Sequence, residues 1–518
     1  MNPQPRMTGS LWWLAGLGLY VALGLLVLGH HEMWRDEFQA WLIAKESRSL
    51  GELWQNTRYE GHPLLWFLTL YGLTRITVQP EAMQILHFTV AVASVTLLWR
   101  YGPFPSAYKA LISFGYFFFY EYAIISRNYA QGVLLVLLFL AAYRPSPDKP
   151  YLLLALILAL LCQTNIYGLL LAVNFGAFLA EELWRGGPLG AFRQNSRWFL
   201  ALSTLVFLLG VVVGLYTVIP PSDFSPPGGG GLWVTGFDPS HLKRTLAHLF
   251  RSYFPLPALQ YRFWETNLLN IKSIQVGLGL CLFFFFFLWS FGKNPPIARL
   301  YGGGSTTLLT FMYVIYTVSL RHAGHLYLLL LACLWLAAVH PEKSLKTPRW
   351  DNLCGWCARH RPRLLLLVLV IQVLAAGVAS FYDWRHPFSA SRAAAAFIKK
   401  NGLEDRFLVG DMDAPVSPVA AYLNRQIYYL TKRDWGSFIV WNNGRKEVNP
   451  VELAQTLKDL ARRHNQRLLL ILNYPAPPEI SFLNLKAAFT ESIRWDESYY
   501  LYEMETGEKL GEREGPGS

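Results

Sequence analysis

Charged side chains are scarce in this sequence: Asp, Glu, Lys and Arg make up 15% of the 518 residues, against 53% hydrophobic residues. Soluble globular domains average about 25% charged residues, and apolar stretches of about 20 residues are typical of membrane spans. Because apolar runs recur along the first three quarters of the chain, the composition predicts a polytopic α-helical membrane protein. The first run, Leu11 to Leu28, is followed by no small-x-small cleavage site, so we interpret it as a crossing rather than a signal peptide.

Net positive charge is absent from the last quarter of the chain. Residues 382–518 carry 18 basic and 18 acidic side chains, so the whole formal excess of +12 lies in residues 1–381. A basic excess beside apolar runs is what the positive-inside bias predicts, whereas a nucleic-acid partner would need a basic soluble domain. We therefore predict a lipid bilayer, and no nucleic acid, as a partner.

Cysteine is also rare. The five cysteines, Cys162, Cys281, Cys333, Cys354 and Cys357, all precede residue 382, so disulfides do not stabilise the C-terminal part. Cys354, Cys357 and His360 supply only three possible metal ligands. Without a fourth, chance explains the Cys354-Gly-Trp-Cys357 spacing better than a zinc site does.

The apolar runs predict about eleven crossings. They lie at 11–28, 63–78, 82–99, 107–120, 128–143, 151–183, 198–219, 273–292, 300–320, 323–339 and 364–380. The 151–183 run is either one broken crossing or a pair, in which case 107–143 is a single long crossing. Basic loops at 183–197 and 340–363 predict a multi-pass protein of the inner (plasma) membrane with a cytoplasmic N-terminus.

Within this membrane part, residues 1–380, two inserts are predicted on the outer side. The insert at 30–62 suits two short interfacial helices, Arg35 to Lys45 and a second that begins at the capping-box residue Ser49. The insert at 220–271 opens with PPSDFSPPGGGG, which predicts a mobile flap. A helix then starts at Asp238-Pro239, with Lys243, Arg244 and Arg251 predicted to face anionic head groups.

From residue 381 the pattern changes to short alternating elements, which predict a small extracytoplasmic α/β domain over 381–506. Predicted helices lie at 390–400, 418–423 and 450–463, and predicted strands at 407–410, 427–430, 438–441 and 467–472. The tail, 507–518, is predicted to be disordered.

The first candidate catalytic residues are Asp36 and Glu37, which lie in the first outer insert. Adjacent helical residues point about 100° apart, so only one of them can face a pocket. Burial beside Trp34 and Trp41 would raise the pKa of such a carboxyl toward that of a useful base, and Arg35 would oppose the shift. The alternative is a pair of solvated carboxylates in an interfacial helix.

The insert ends in Glu60-Gly61-His62-Pro63. These residues could form a simple turn, in which Gly61 frees the backbone and Pro63 starts a helix. His62 could instead hold a phosphate, or Glu60 and His62 could bind a divalent metal, although two ligands alone do not make a metal site.

Two further groups interrupt the apolar runs. Glu121 and Arg127 could form a mutual salt bridge at a helix break, yet ionisable groups in membrane stretches are functional candidates by default. Arg321, His322 and His325 lie at an outer turn, where they could snorkel to the interface. The planar fork of Arg321 also suits a phosphate, to which the histidines could add hydrogen bonds.

This combination resembles the GT-C glycosyltransferase superfamily. The acidic pair in the first outer loop, the x-His-Pro motif before the next helix, the many helices and the small outer C-terminal domain carry the resemblance. They are similar to bacterial members related to protein mannosyltransferase, aminoarabinose transferase and rhizobial galacturonosyltransferase. The resemblance covers roughly residues 1–380 and implies transfer of a sugar from a polyprenyl-phosphate carrier, but it implies no role for 381–506.

By this resemblance Asp36 is the catalytic base, Glu60 and His62 lie near the carrier phosphate, and Arg321 with His322 forms a late basic cluster. The candidate site comprises Asp36 and Glu37 as catalytic residues, and Arg35, Glu60, His62, Arg127, Arg321, His322 and His325 as substrate-binding residues. The resemblance identifies no definite cofactor, and a divalent metal on Glu60 and His62 is the alternative. The inserted domain of the protein mannosyltransferases is missing here, which favours a lipid or glycan acceptor over a protein.

Two other functional classes fit parts of the sequence. A secondary transporter is the main alternative, although transporters place their charges near the bilayer midplane and tend to have internal repeats. Here the ionisable groups cluster at the outer boundary. A sensor or assembly protein that binds through the α/β domain is the third hypothesis.

Overall fold

The computed structural model of the chain describes residues 12–145, 149–185, 197–225, 233–234, 236–315, 318–340, 348–446 and 448–504. The predicted disordered tail and the glycine-rich centre of the predicted flap lie outside these residues. Parts of the flap that are described pair with other segments: the Ser225 amide donates to Trp441, and Trp233 bridges to Ile315.

The described membrane part is a bundle of helices. These are α1 (Trp12–His30), α2 (Arg35–Glu46), α3 (Leu50–Thr57), α4 (Leu65–Thr74), α5 (Glu81–Tyr101), α6 (Ser106–Ser113), a π-helical turn (Tyr116–Glu121), α7 (Tyr129–Ala142), α8 (Tyr151–Leu161), α9 (Ile166–Arg185), α10 (Arg197–Val218), α11 (Pro239–Tyr253), α12 (Lys272–Lys293), α13 (Pro295–Val314), α14 (Leu320–Val339) and α15 (Pro348–Arg385). Seven of the described helices, α1, α5, α9, α10, α12, α14 and α15, are long and apolar enough to cross a membrane.

The 63–78 run does not form the predicted crossing. Helices α1 and α5 are antiparallel, since Gly16 lies against Trp99 while Tyr20 stacks on Phe88. The end of α1 and the start of α5 therefore lie at the same end of the bundle. The chain that connects them begins and ends there, so the 63–78 run cannot be a single crossing. Within this stretch α4 has only 10 residues, and the Arg75 guanidinium after it donates to carbonyls of the preceding insert. We call this end of the bundle the site end.

The 151–183 run forms a pair of antiparallel helices rather than one broken crossing. Gly210 of α10 packs on Ala159 of α8, while Gly214 meets both Cys162 and Leu169. Phe207 lies against Gly176 of α9, so α8 runs parallel to α10 and α9 runs antiparallel to it.

Residues 107–143 are also divided into two segments rather than one long crossing. The Lys109 ammonium donates to the last turn of α5, whereas Tyr120 reaches Asp383 at the site end and Tyr143 reaches Glu182 at the opposite end. One expected crossing is lost at 63–78 and one is gained at 151–183, where the single predicted run forms two helices, so the predicted parity of the chain is unchanged.

The structure also differs from two further predictions, which concern the basic loop at 340–363 and the charged face of the helix that starts at Asp238-Pro239. The basic stretch before residue 363 is helical, because α15 begins at Pro348 and continues through Pro362. Helix α11 starts as predicted, with the Asp238 carboxylate accepting from the first-turn amides. Its Arg251, however, is buried and donates to the Glu265 carbonyl rather than facing lipid head groups.

The C-terminal domain is an α/β unit. It contains helices α16 (Ser391–Lys400), α17 (Asp413–Leu423) and α18 (Pro450–His464), and strands β1 (Phe407–Gly410), β2 (Ile427–Tyr429), β3 (Asp434–Gly436), β4 (Leu468–Leu472), β5 (Asn484–Phe489) and β6 (Tyr499–Met504). The sheet order is β3-β2-β1-β4-β6-β5, with β2, β1 and β4 parallel and the other pairs antiparallel. Separate apolar cores cover its two faces.

One predicted strand of this domain is wrong. Residues 438–441 form an irregular segment, and the neighbouring strand is β3 at Asp434–Gly436. The backbone of 438–441 instead hydrogen-bonds to the membrane part: the Ile439 amide and carbonyl pair with the Gln39 side chain at 2.9 and 2.8 Å. This segment therefore docks the domain on the site end of the bundle.

Candidate active site

Asp36 lies in the first turn of α2 and is surrounded by guanidinium groups from three parts of the chain. Its Oδ2 is 2.6 Å from Arg127 Nη1 and 3.2 Å from Arg321 Nη2, and its Oδ1 is 3.8 Å from Arg35 Nε. The Asp36 side chain keeps 26% of its surface exposed. A single carboxylate thus faces a strongly cationic, partly open site.

Burial opposes ionisation of Asp36, but the charges of Arg127 and Arg321 outweigh it. The pKa of the Asp36 carboxyl is therefore held well below its ordinary value. Opposite charges within about 4–6 Å produce this effect because they favour the charged form of the acid. The sequence-based expectation that burial would dominate at Asp36 is wrong, since two arginines distant in sequence face it.

Glu37 points away from the site, as helical geometry requires of a neighbouring residue. Its carboxylate is fully buried, accepts from the amides of Trp34 and Ser126 at 3.1 and 2.6 Å, and lies 3.0 Å from His31. Glu37 therefore supports both the start of α2 and the backbone beside Arg127, and it has no contact with the open side of the cluster in the described structure.

His31 is the centre of a buried network beneath the site. Its two ring nitrogens lie 3.0 Å from Glu37 and 2.8 Å from Asp383 of α15, and Tyr120 also donates to Asp383. Burial lowers the pKa of His31, but the Asp383 and Glu37 carboxylates outweigh burial and raise it to about 10. The network therefore holds a buried imidazolium between two carboxylates.

Glu60 and His62 lie beside the Asp36 cluster. Gln39 Nε2 donates to Glu60 Oε1 at 2.7 Å, and burial raises the pKa of Glu60 to about 7. Arg127 Nη2 lies 3.4 Å from His62 Nε2, and burial lowers the pKa of His62 to about 3, so its imidazole is neutral.

The metal alternative for Glu60 and His62 finds little support in this geometry. Within the described residues, no group of three or more His, Cys, Asp or Glu side chains is placed to hold a metal ion. The atoms that contact the pair are Gln39 Nε2 and Arg127 Nη2, and these N–H groups are hydrogen-bond donors that cannot bind a cation.

Arg321 is separated from its two histidine neighbours. His322 Nε2 contacts the Tyr129 hydroxyl at 3.0 Å, and the rings of both His322 and His325 stack on Tyr167. The predicted late basic cluster is therefore divided: Arg321 faces Asp36, whereas the histidines belong to an aromatic cluster in which His325 is buried.

Arg127 does not pair with Glu121 in the predicted mutual salt bridge. Arg127 contacts Asp36, whereas the buried Glu121 carboxylate accepts from the Tyr116 hydroxyl at 2.8 Å and from Trp264 Nε1 at 3.3 Å. The segment after the π-helical turn therefore carries Arg127 into the site.

The C-terminal domain contributes residues to the cluster that the sequence analysis missed. Arg35 forms an ion pair with Asp496, and its amide donates to Glu497 Oε1 at 3.2 Å. The Arg494 guanidinium lies 4.7 Å from the centre of the Trp34 ring, and Arg321 lies 5.7 Å from the same ring. No sequence signal joins residues more than 450 positions apart, so this contribution is visible only in the fold.

No protein-family model and no curated protein matches this sequence. Two crystal structures of ArnT from Cupriavidus metallidurans match nearly the whole chain. The structure bound to undecaprenyl phosphate has 13% sequence identity and a TM-score of 0.51, and covers 96% of this chain and 98% of ArnT. The apo structure has 12% identity and a TM-score of 0.53, and covers 95% and 98%.

The chain has the ArnT fold. The multi-pass helical architecture with a small C-terminal sheet that the sequence predicted is thus confirmed, and this likeness in fold agrees with the resemblance to the GT-C superfamily. The likeness in fold to the ArnT structures includes the C-terminal domain, for which the sequence-based resemblance implied no role.

Proposed function

We propose that this protein is an integral membrane glycosyltransferase that moves a sugar from a polyprenyl-phosphate-linked donor to an extracytoplasmic lipid or glycan acceptor. The observation that carries the proposal is the Asp36 carboxylate held between Arg127 and Arg321 at the site end of the bundle. The ArnT structure that covers 96% of the chain is bound to undecaprenyl phosphate, which supports a polyprenyl-phosphate carrier.

Arg127 and Arg321 are the proposed phosphate ligands. Guanidinium groups bind phosphate oxygens through paired, charge-assisted hydrogen bonds, and these two come from different elements that converge on one point. Arg321 Nε and His62 Nδ1 are buried without a hydrogen-bond partner in the described structure. Both therefore have hydrogen-bonding capacity left for a ligand.

Asp36 is the proposed general base. The acceptor hydroxyl oxygen attacks the anomeric carbon while the bond from that carbon to the phosphate oxygen breaks, and its electron pair leaves with the phosphate. The hydroxyl proton passes to Asp36. Because the carrier phosphate is a stabilised anion, the arginines can hold the developing charge, and no second acid is needed to protonate the leaving group.

The low pKa of Asp36 applies to the cluster without a donor. A bound phosphate competes for the same guanidinium groups and adds negative charge, so it raises the pKa of Asp36. The carboxylate thus becomes more basic when the donor is in place. This coupling reconciles a strongly ionised Asp36 with its role as a base.

The decisive experiment compares Asp36→Asn with Glu46→Gln, a matched control near the end of the same helix. Mass spectrometry of carrier lipids in a deletion strain first identifies the donor, and the purified protein is then assayed with it. Asp36→Asn should reduce turnover by about 10²–10⁴-fold, as expected for loss of a general base. Donor binding should be retained or tighter, because a competing negative charge is removed.

Wild-type turnover in Asp36→Asn would refute the base assignment. Movement of a solute across vesicles by a protein without transferase activity would favour the transporter hypothesis instead. Glu37→Gln is a poor control, because Glu37 accepts two buried amide hydrogen bonds and its loss disturbs folding.

A further inference from the structure

The C-terminal domain has a groove along its edge strand β3 that the proposed phosphate site does not use. The groove has a cavity volume of about 390 Å³, within the usual range for small-ligand sites. Its lining includes Gln426, Lys432, Asp434, Trp435, Ser437 and Asn442. We refer to it as the Trp435 groove.

The lining combines one aromatic platform with several hydrogen-bonding groups. The Trp435 side chain is 41% exposed, and edge-type contacts with Phe407 and Tyr428 hold its indole in place. Ser437 is only 2% exposed, and its hydroxyl has no hydrogen-bond partner in the described structure. A buried hydroxyl without a partner is costly, and a polar ligand could satisfy it.

Hydrogen bonds and an ion pair hold the segments that line the groove. Lys432 Nζ donates to the Phe438 carbonyl at 2.7 Å and lies 3.8 Å from the buried carboxylate of Asp413. Phe438 and Val440 line the groove, and Ile439 between them hydrogen-bonds to Gln39.

Gln39 also connects the groove to the Asp36 cluster. Its Nε2 donates to Glu60, and it lies one helical turn after Asp36 on α2. Gln39 therefore joins the segment that carries Phe438 and Val440 of the groove to Glu60 of the candidate active site through hydrogen bonds.

We infer that the Trp435 groove binds the carbohydrate part of the acceptor, an inference that rests on the proposed function. A sugar ring has an apolar C–H face, which suits the electron-rich face of an indole. Its rim of hydroxyls both donates and accepts hydrogen bonds, which suits the amides of Gln426 and Asn442, the Asp434 carboxylate and the Ser437 hydroxyl.

The test uses the full-length protein in lipid nanodiscs and fluorescently labelled oligosaccharides released from the cell envelope of the source organism. Equilibrium binding is measured for the wild type, Trp435→Ala, Gln426→Ala and Trp495→Ala. Trp495 is the matched control, because it is another exposed tryptophan of the domain and does not line the groove. Undecaprenyl phosphate binding is measured on the same four preparations.

Trp435→Ala should weaken oligosaccharide binding at least about tenfold, as expected for truncation of a central aromatic contact. Gln426→Ala, whose exposed side chain can be shortened without disturbing the core, should also weaken it, and Trp495→Ala should not. All four proteins should bind undecaprenyl phosphate equally.

The experiment distinguishes failure of the groove assignment from failure of the proposed donor. If the wild type binds undecaprenyl phosphate but no oligosaccharide, or if Trp435→Ala and Gln426→Ala bind oligosaccharides as the wild type does, the groove assignment is overturned. If oligosaccharides bind in the groove but undecaprenyl phosphate does not bind, the proposed donor is overturned.

Discussion

Asp36 and Glu60 lie in the same cluster, and their surroundings push their pKa values in opposite directions. Arg127 and Arg321 keep Asp36 ionised, whereas burial raises the pKa of Glu60 to about 7. Such a divergence commonly separates the roles of two carboxylates in one active site. It also makes Glu60 the rival candidate for the base, because an effective base has a pKa near the working pH.

The pH dependence of turnover distinguishes the two carboxylates. If Asp36 is the base, it is ionised throughout the assay range, and we expect kcat/KM to stay level from about pH 8 down to about pH 5. Only deprotonated Glu60 could accept a proton, so a Glu60 base would make the rate fall as the pH decreases through about 7. An acidic limb near pH 7 that disappears in Glu60→Gln would transfer the role to Glu60.

Arg321 offers a test of the phosphate site. Arg321→Ala should weaken undecaprenyl phosphate binding about ten- to a hundredfold, the equivalent of about 1.5–3 kcal/mol for a charged hydrogen bond. Arg321→Lys should lose less, because it keeps the charge but not the planar fork. Lys243→Ala, which removes an exposed cation on α11, is the control. Wild-type affinity in Arg321→Ala would rule Arg321 out as a phosphate ligand.

At the level of single residues, the sequence predicted which side chains lie at the candidate site better than it predicted their partners. Asp36 and Arg321 were both candidates, but only the fold brings residues 285 positions apart to 3.2 Å. For Arg127, a salt bridge with Glu121 was the alternative to a functional role, because the two residues are close in sequence. Local charge pairing is a poor guide where a helix break turns neighbouring side chains toward different parts of the bundle.

At the level of elements, the His31 network joins the end of α1, the first turn of α2 and the last turns of α15. Loss of one partner in a buried ionic network typically costs about 3–5 kcal/mol. We therefore expect His31→Gln to lower the thermal unfolding midpoint in detergent and to reduce turnover, because Glu37 supports both α2 and the backbone beside Arg127. His30→Gln alters the adjacent, exposed histidine and should have little effect.

The same network makes stability depend on pH. The pKa of His31 in the folded protein, about 10, lies above its ordinary value of 6.5. Its contribution to stability is therefore complete below about pH 6.5 and declines as the pH rises toward 10. The unfolding midpoint of the wild type should fall over this interval more than that of His31→Gln. Equal slopes for the two proteins would show that His31 is not an imidazolium.

Hydropathy located most elements but misassigned those whose length was ambiguous. The 63–78 run is as apolar as its neighbours, yet its helix is short and lies against α2. Residues 438–441 have the alternation of a strand, but their backbone pairs with Gln39 and with the 223–225 segment instead of a sheet neighbour. In both cases tertiary partners, which periodicity does not encode, decided the structure.

For the whole molecule, the parity of the bundle predicts that the C-terminal domain and the site end lie outside the cytoplasm. Val451→Cys places a thiol on an exposed surface of a domain that has no cysteine of its own. An impermeant maleimide should label it in intact spheroplasts. Trp184→Cys, exposed at the opposite end of the bundle, should be labelled only after permeabilisation. The reverse pattern would contradict the topology.

The ion pair between Arg35 and Asp496 has a consequence for biosynthesis. Arg35, the neighbour of Asp36, is synthesised 461 residues before its partner Asp496. A chain that has not yet been made through Asp496 thus carries Asp36 without all of the contacts that surround it in the folded protein. If the proposed function is correct, transfer can begin only after the chain has been made through Asp496 and this part of the C-terminal domain has packed against α2.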